Sequence, residues 1–236
     1  MSTASSPDLA AAVIVAGGSG TRIGGAVRKQ YLEIAGIPVL LRAVRPFLDH
    51  PRIGAVVVVL PADDLIAPPA WLAGLAVTLV AGGAERGDSV WNGVAATPPS
   101  APAVLVHDGA RPFVTAAIIS RVLDGCRSGG AIAAILVTDT VKEVGEDGTI
   151  RGTPDRSRLW QAQTPQGFPR GGLIRAYEAA RAGGVAATDD AALFERFVGP
   201  VRVVAGSERN LKVTRPTDIW VAEALALAPA VGDGES

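Results

Sequence analysis

The sequence has little of the chemistry that marks secreted or zinc-binding proteins, since it holds one cysteine and two histidines among 236 residues. Cys126 has no second thiol in the chain, which excludes an intramolecular disulfide and favours a reducing compartment. His50 and His107 are far apart in the sequence, so no zinc cluster is expected. No apolar run is long enough for a membrane span, and no signal peptide is recognised. We therefore expect a cytoplasmic protein with no membrane partner.

Net charge is also small, at -1. No global basic field is available to recruit nucleic acid, which is therefore not an expected partner. Lysine is rare as well, because the 22 lysine and arginine residues include only Lys29, Lys142 and Lys212 as lysines. A lysine ammonium is a compact, mobile point charge, whereas an arginine guanidinium is a planar fork. We treat Lys29 and Lys212 as candidate functional residues, and Lys142, on a polar stretch, receives no role.

What the chain does have is a regular alternation of apolar runs and amphipathic segments. This alternation predicts an α/β fold with Rossmann-like, three-layer architecture and a mostly parallel sheet. One domain suits residues 1–236, with an ordered core of about 9–228. Ligands of such sheets bind at the carboxyl ends of the strands. The loops expected at this edge follow Val15, Val80, Val106, Val137 and Ala205.

The alternation is interrupted over residues 138–158, which are mostly polar. Short alternating runs at Thr140–Val144 and Thr149–Arg151 flank a turn at Glu146–Gly148, and this pattern predicts a projecting β-hairpin arm. We expect the arm to pair with a second copy of the chain in a homodimer. Elsewhere, a helix is predicted near Ala62–Leu72, and Leu159–Gly167 is predicted to be irregular.

A glycine-rich loop follows the first apolar run, Ala11–Val15. It carries Thr21 and Arg22, and Lys29 comes soon after it. Glycine lets backbone N–H groups approach anionic oxygens, and the cations neutralise their charge. The combination predicts a phosphate-binding loop.

Spacing excludes two common phosphate loops. A Walker A motif needs lysine after its second glycine, but Ala26 follows Gly25. The dinucleotide fingerprint needs a third glycine where Ile23 stands. The remaining pattern, Gly18-x-Gly20-Thr-Arg, resembles the loop of nucleotidyltransferases, which bind a nucleoside triphosphate and release pyrophosphate.

Two further loops carry candidate site residues. Backbone groups of residues 82–84 could contact a base edge, and Ser89, near a helix start, could bind a ribose or phosphate. Equally, Asp88 or Ser89 could simply cap the helix. Asp108, at the end of a strand, could hold Mg²⁺ beside a triphosphate, and Arg111 could clamp a phosphate. The alternative is an Asp108–Arg111 pair that only organises a turn, with His107 in a structural role.

Together these motifs resemble the 2-C-methyl-D-erythritol 4-phosphate cytidylyltransferase family. The resemblance spans Ala11 to Pro216 and depends on the ordered set rather than on any single motif. The remaining motifs of the set are Asp139–Thr140, Asp155–Arg156, Leu159–Trp160, Thr164–Gln166, Thr188–Asp189 and Asn210–Pro216. One departure is Ala84, where family members often carry a polar residue, so any base contact there must come from the backbone.

The resemblance implies a nucleotidyltransferase fold with a dimerising arm. It also implies a reaction in which CTP and 2-C-methyl-D-erythritol 4-phosphate give the CDP-linked alcohol and pyrophosphate, with Mg²⁺, in non-mevalonate isoprenoid synthesis. The catalytic residues that it implies are Arg22, Lys29 and Lys212. The implied CTP-binding residues are Ala16, Gly17, Gly18, Gly20, Thr21, Gly82, Gly83, Ala84, Ser89 and Asp108, with Asp108 also the metal ligand. The implied residues for the second substrate are Asp108, Arg111, Thr140, Arg156, Thr164, Thr188 and Lys212, with the arm residues acting across the dimer.

Two other functions stay open at this point. Ribitol-5-phosphate cytidylyltransferase shares the CTP half of the site and differs in the alcohol pocket, where Leu159–Trp160 and Thr188–Asp189 favour methylerythritol phosphate. A non-catalytic nucleotide-binding module on the same scaffold is the second alternative. The presence of Lys29, Asp108 and Lys212 disfavours it.

Overall fold

The computed structural model describes residues 9–18, 28–185 and 189–229. Its strands are β1 (Ala10–Val15), β2 (Glu33–Ile34), β3 (Ile37–Pro38), β4 (Ile53–Leu60), β5 (Val77–Ala81), β6 (Ala103–Asp108), β7 (Gly130–Leu136), β8 (Glu143–Val144), β9 (Ile150–Gly152), β10 (Trp160–Pro169) and β11 (Val201–Ala205). Its α-helices are α1 (Val39–Leu48), α2 (Ala62–Ile66), α3 (Arg86–Ala95), α4 (Ala116–Gly125), α5 (Arg170–Ala182), α6 (Asp190–Phe197) and α7 (Pro216–Leu227). None of the helices in these ranges is both long and apolar enough to cross a membrane.

The main sheet has seven strands in the order β11-β7-β10-β6-β1-β4-β5. Strand β1 pairs in parallel with β4 and β6, β4 with β5, and β7 with β11. Only β10 is antiparallel, to both β6 and β7, so those two neighbours share one direction. The predicted mostly parallel sheet is confirmed. The carboxyl ends of six strands therefore meet at one edge, which we call the carboxyl edge.

Helices cover both faces of this sheet, as a three-layer fold requires. Along β1, Ala12 and Ile14 pack in a cluster with residues of α1 and α4. Ala11 and Val13 point the other way and pack with residues of α3, α5 and α6. Successive strand residues face opposite sides of a sheet, so the continuous apolar run of β1 serves both layers.

Strand β10 contradicts the prediction of an irregular segment at Leu159–Gly167. Pro and Gly normally weaken a strand, and here they are accommodated where the pairing with β7 shifts register between Ala162 and Gln166. The buried polar side chains of Gln163, Thr164 and Gln166 have hydrogen-bonding partners from other parts of the chain. The sequence around β10 does not indicate those partners, because they lie far away along the chain.

The predicted helix at Ala62–Leu72 is also wrong in extent. In the structure this segment forms the short helix α2 and a separate 3₁₀ turn at Ala70–Leu72. Pro68 and Pro69 lie between them, and proline both lacks an N–H and disfavours helical geometry in the residue before it. The helix must therefore end before Pro68.

The arm region forms a two-stranded antiparallel hairpin, β8 with β9, separate from the main sheet. Its first strand, β8, is shorter than the predicted Thr140–Val144, whereas β9 has the predicted length and is shifted by one residue. The turn uses Gly148 with a φ of 77°. Val144 and Ile150 are exposed on it. The prediction of a hairpin is confirmed, and its pairing with a second copy stays a prediction.

Helix α3 gives a test of packing against the sheet. A Cβ at Gly93 would lie 2.3 Å from Val13 Cγ1 and 2.9 Å from Val59 Cγ2. We expect Gly93→Ala to lower the free energy of unfolding by about 1–3 kcal/mol through overpacking. The control is Gly87→Ala on the same helix, where the nearest atom would be 3.8 Å away. Urea denaturation of both variants is the measurement, and equal stabilities would contradict the close packing.

Candidate active site

A cleft of about 650 Å³ opens at the carboxyl edge of the sheet. Its walls come from the loops that follow β1, β4, β5, β6 and β11. The residues that line it include Ala16, Gly17, Gly18, Lys29, Gln30, Gly82, Gly83, Ala84, Arg86, Ser89, Asp108 and Lys212. The structure thus brings together most of the residues that the sequence predicted for the nucleotide. Gly20, Thr21 and Arg22 lie outside the described residues.

The loops after β1 and β5 touch through their glycines. A Cβ at Gly17 would lie 3.0 Å from Ser89 Oγ and 3.1 Å from Gly82 Cα, and a Cβ at Gly82 would meet Gly17 Cα at 3.1 Å. Side chains at either position would force the loops apart. Gln30, which the sequence analysis missed, donates its side-chain amide to the carbonyl of Ala16 at 3.0 Å and to that of Gly18 at 3.3 Å. The first loop is thereby tied to the 3₁₀ turn that carries Lys29.

The second loop is held by the Ser89 hydroxyl. It accepts the N–H of Gly83 at 3.1 Å and donates to the carbonyl of Glu85 at 3.2 Å. Helix α3 has Glu85 as its N-cap, with Asp88 completing a capping box. The alternative that Asp88 or Ser89 is the N-cap is therefore wrong. Ser89 is buried and shapes the loop whose backbone faces the cleft.

Asp108 is the centre of charge in the cleft. Its carboxylate lies 2.8 Å from Lys212 Nζ, 3.4 Å from Arg86 Nη2 and 3.8 Å from Arg111 Nε. Burial alone would raise the pKa of Asp108, but the cations Arg86, Lys212 and Arg111 hold it well below its usual range. Asp108 is therefore ionised at any physiological pH. The Asp108–Arg111 pair exists, and Arg111, mostly buried, also donates to the carbonyl of Asn210 at 2.8 Å.

Behind Asp108, a buried hydrogen-bond chain fixes its backbone. The N–H of Asp108 donates to the Thr164 hydroxyl at 3.0 Å, and that hydroxyl lies 3.0 Å from His107 Nδ1. His107 Nε2 lies 3.1 Å from the carbonyl of Arg111, which can only accept. Nε2 therefore carries the proton, and Thr164 donates to Nδ1. The structural reading of His107 is confirmed, and Thr164 lies behind Asp108 rather than on the cleft surface.

Arg86 also belongs to a second ion pair, with Asp190 at 3.0 Å, and Asp190 is fully buried at the start of α6. Neither residue has a role that could be assigned from the sequence. Asp190 lies 104 residues from Arg86, and nothing in local spacing relates them. Their meeting depends on the packing of α6 beside the site.

The predicted residues for the second substrate are placed differently. Thr140 and Arg156 are exposed near the hairpin and are not among the residues that line the cleft. Arg156 instead donates to the carbonyl of Thr138. Thr188 lies outside the described residues. A single chain therefore does not bring these arm residues to Asp108.

A mostly parallel α/β sheet, with a glycine-lined, cation-rich cleft at its carboxyl edge, is the arrangement expected of a nucleotidyltransferase. Comparison with known proteins narrows the class. The family model described as 2-C-methyl-D-erythritol 4-phosphate cytidylyltransferase matches residues 10–227, and the chain belongs to this family.

Individual relatives agree with the family model. The 2-C-methyl-D-erythritol 4-phosphate cytidylyltransferase of Symbiobacterium thermophilum is 45% identical over 216 residues, covering 90% of this chain and 91% of its own. The protein of the same name from Syntrophus aciditrophicus is 46% identical over 220 residues, covering 90% and 94%. The crystal structure of 4-diphosphocytidyl-2C-methyl-D-erythritol synthase from Anaerococcus prevotii superposes with a TM-score of 0.84 at 30% identity, covering 94% of this chain and 100% of its own.

The buried imidazole of His107 should make the stability of the protein depend on pH. Burial lowers the pKa of His107 to about 4, while an unfolded histidine titrates near 6.5. Between these values the unfolded chain binds more protons than the folded one, so stability falls as pH falls. We expect His107 to account for a loss of about 2 kcal/mol between pH 6.5 and 5.

Urea denaturation at pH 7 and pH 5 tests this. The variant His107→Asn should be less stable at both values but should lose less on acidification than the parent protein. His50→Asn is the control for the other histidine, since burial also lowers the pKa of His50. Identical pH slopes in His107→Asn and the parent would contradict the assignment.

Proposed function

We propose that this protein transfers a cytidylyl group from CTP to 2-C-methyl-D-erythritol 4-phosphate. An oxygen of the substrate phosphate attacks the α-phosphorus of CTP, and the bond from that phosphorus to the bridging oxygen of the β-phosphate breaks. The products are 4-(cytidine 5'-diphospho)-2-C-methyl-D-erythritol and pyrophosphate. The observation that carries the proposal is the Asp108–Lys212–Arg86 cluster in a glycine-lined cleft. Family membership supplies the identity of the substrates.

The glycine loops serve the CTP half of the site. Backbone groups of Gly82, Gly83 and Ala84 contact cytosine, and Ser89 contacts the ribose while keeping Gly83 in place. We assign the triphosphate to the backbone of residues 16–18, which lines the cleft, and to Gly20 and Thr21. Backbone N–H groups bind phosphate oxygens without needing a side chain, which suits the close contact between Gly17 and Gly82.

Charge stabilisation is the main catalytic contribution. Negative charge accumulates on the α-phosphate and on departing pyrophosphate in the transition state, and Arg22, Lys29 and Lys212 stabilise it. Lys212 is already at the cleft, 2.8 Å from Asp108. No covalent enzyme intermediate is needed, so positioning and electrostatics suffice.

Mg²⁺ is the cofactor that we propose, with Asp108 as its protein ligand. Among the described residues no cluster of three or more histidine, cysteine or acidic side chains could hold a metal ion. A lone ionised carboxylate nevertheless fits Mg²⁺, which takes one or two carboxylates and completes its shell with phosphate oxygens and water. When bound, Mg²⁺ would neutralise phosphate charge. The Thr164 hydroxyl keeps Asp108 in place for this role by accepting a hydrogen bond from the backbone N–H of Asp108.

The methylerythritol phosphate is bound by Arg111, Thr188 and Lys212 of one subunit, with Asp108, and by Thr140 and Arg156 of the arm. Because the two arm residues do not line the cleft of their own chain, we propose that they serve the partner's site in a homodimer. The free, buried thiol of Cys126 fits a cytoplasmic location.

The direct test is pyrophosphate release from CTP and Mg²⁺ with methylerythritol phosphate, run in parallel with ribitol 5-phosphate. ATP, GTP and UTP replace CTP in matched reactions. The proposal requires turnover with CTP and methylerythritol phosphate at the highest kcat/KM. A preference for ribitol 5-phosphate would support the alternative cytidylyltransferase, and no turnover with any pair would support a non-catalytic module.

Lys212 provides the first variant test. Removing its ammonium deprives the transition state of a preorganised cation, so Lys212→Ala should lower kcat by roughly 10²-fold or more. The matched control is Lys142→Ala, since Lys142 is exposed near the hairpin and binds Thr153 Oγ1 at 2.8 Å. We expect the control to keep parental kcat. Near-normal kcat for Lys212→Ala, with an unchanged melting temperature, would refute its role.

Mixed dimers test the arm. If Arg156 acts in the partner's site, a dimer of one Lys212→Ala subunit and one Arg156→Ala subunit holds one intact site and one doubly damaged site. Equal mixing after dissociation and reassociation should then restore about a quarter of parental activity, because half of the dimers are mixed. Arg151→Ala, on strand β9 of the neighbouring hairpin, replaces Arg156→Ala as control. No recovery above the two separate variants would mean that Arg156 does not act across the interface.

A further inference from the structure

Asp190 is a buried acidic residue that the proposed reaction does not use. It is fully buried at the first position of α6. Burying a carboxylate is costly unless donors surround it. Here the Tyr177 hydroxyl donates to Oδ1, and Arg86 Nη2 lies 3.0 Å from Oδ2. Burial and the Asp190 carboxylate raise the pKa of the Tyr177 phenol well above its ordinary value, so this donor stays protonated.

The position of Asp190 is fixed by contacts that do not involve the cleft. Asp189 caps α6 by accepting the N–H of Ala192 at 3.0 Å. The side chain of Gln166 donates to Asp189 at 2.9 Å and accepts the N–H of Ala191 at 3.1 Å. Gln166 lies on β10, paired with β6 two residues before Asp108. The sheet that carries Asp108 therefore also sets the position of Asp190.

Arg86 is shared between the two carboxylates. The same nitrogen, Nη2, lies 3.0 Å from Asp190 and 3.4 Å from Asp108, and the residue lines the cleft. The shorter contact is to Asp190, the more deeply buried of the two carboxylates. Without Asp190, Asp108 would be the acidic partner that remains for Arg86 among the residues that the structure describes, and the guanidinium would be drawn onto it. Asp108 would then be more fully neutralised and less able to attract another cation.

We propose that Asp190 is a positioning residue that holds Arg86 back from Asp108 and keeps the guanidinium at the wall of the nucleotide cleft. The inference rests on the proposed function, because it concerns how the protein binds CTP with Mg²⁺. Asp190 is fully buried and is not among the residues that line the cleft, whereas Arg86 is, so the effect of Asp190 passes through Arg86. The loss of Asp190 should therefore matter only while Arg86 is present.

A double-mutant cycle tests this dependence. The proteins are the parent, Asp190→Asn, Arg86→Gln and the double variant, and calorimetry measures the Kd of CTP with Mg²⁺. Removing a hydrogen bond to a charged group should weaken CTP binding about tenfold in Asp190→Asn. Arg86→Gln should weaken it at least as much, and the double variant should bind no more weakly than Arg86→Gln alone. Losses that multiply in the double variant would overturn the proposal.

Tyr177→Phe is the matched control for a purely structural role. It removes the other hydrogen bond to Asp190 but leaves the Asp190–Arg86 pair intact. A positioning role predicts that Tyr177→Phe changes the Kd by less than about threefold, whereas a role limited to anchoring α5 and α6 predicts equal losses in both variants. Asp190→Asn should also raise the KM for CTP more than the KM for methylerythritol phosphate. Equal effects on the two values would count against the proposal.

Two further outcomes separate the inference from the function beneath it. A parent protein that binds no CTP would contradict the proposed function itself. If the parent binds CTP but the Kd losses of the two single variants multiply in the double variant, only the role of Asp190 is overturned. Thermal denaturation checks that each variant is folded. Should Asp190→Asn not fold, Asp190→Glu takes its place in the cycle, because it keeps the charge and shifts it by one methylene.

Discussion

The neutralisation of one buried carboxylate organises the site. Asp108 has little contact with water, and its negative charge would be costly in that position without partners. Lys212, Arg86 and Arg111 supply the compensation from three separate parts of the chain. The same electrostatic balance therefore joins distant loops into one cleft and gathers the cations that a triphosphate requires. The same charged side chains therefore hold the loops of the cleft together and serve the proposed reaction.

The fold could be predicted wherever the local pattern and the tertiary environment agree. The apolar runs of β1 and β4 indicate strands buried on both faces, and the parallel sheet follows from their alternation with helices. Strand β10 could not be predicted in this way. Its Thr164-Pro165-Gln166-Gly167 sequence is unfavourable for a strand, and its polar side chains are satisfied by residues such as Asp189 and Ser207. Such partners appear only once the chain has folded.

Some residues of the candidate site could likewise be predicted from the sequence, and others could not. The positions of Asp108 and Gly82 at the cleft were predictable because each lies at the carboxyl end of a strand that reaches the same edge. Lys212 could be singled out because lysine is rare in this chain. The Arg86–Asp190 pair was not, because it joins residues 104 positions apart through helix packing. The roles of Thr140 and Arg156 stay predictions, since they depend on a second chain.

The glycine contact between the first two loops limits how the nucleotide preference of this protein could be redesigned. Gly17 and Gly82 leave no room for side chains, and a Cβ at Gly83 would lie 2.2 Å from Asp88 Cβ. Ala84 is exposed beside them and already carries a side chain. A library aimed at another base would therefore begin at Ala84 and leave the three glycines unchanged, because altering them would reshape the loops before it changed base recognition.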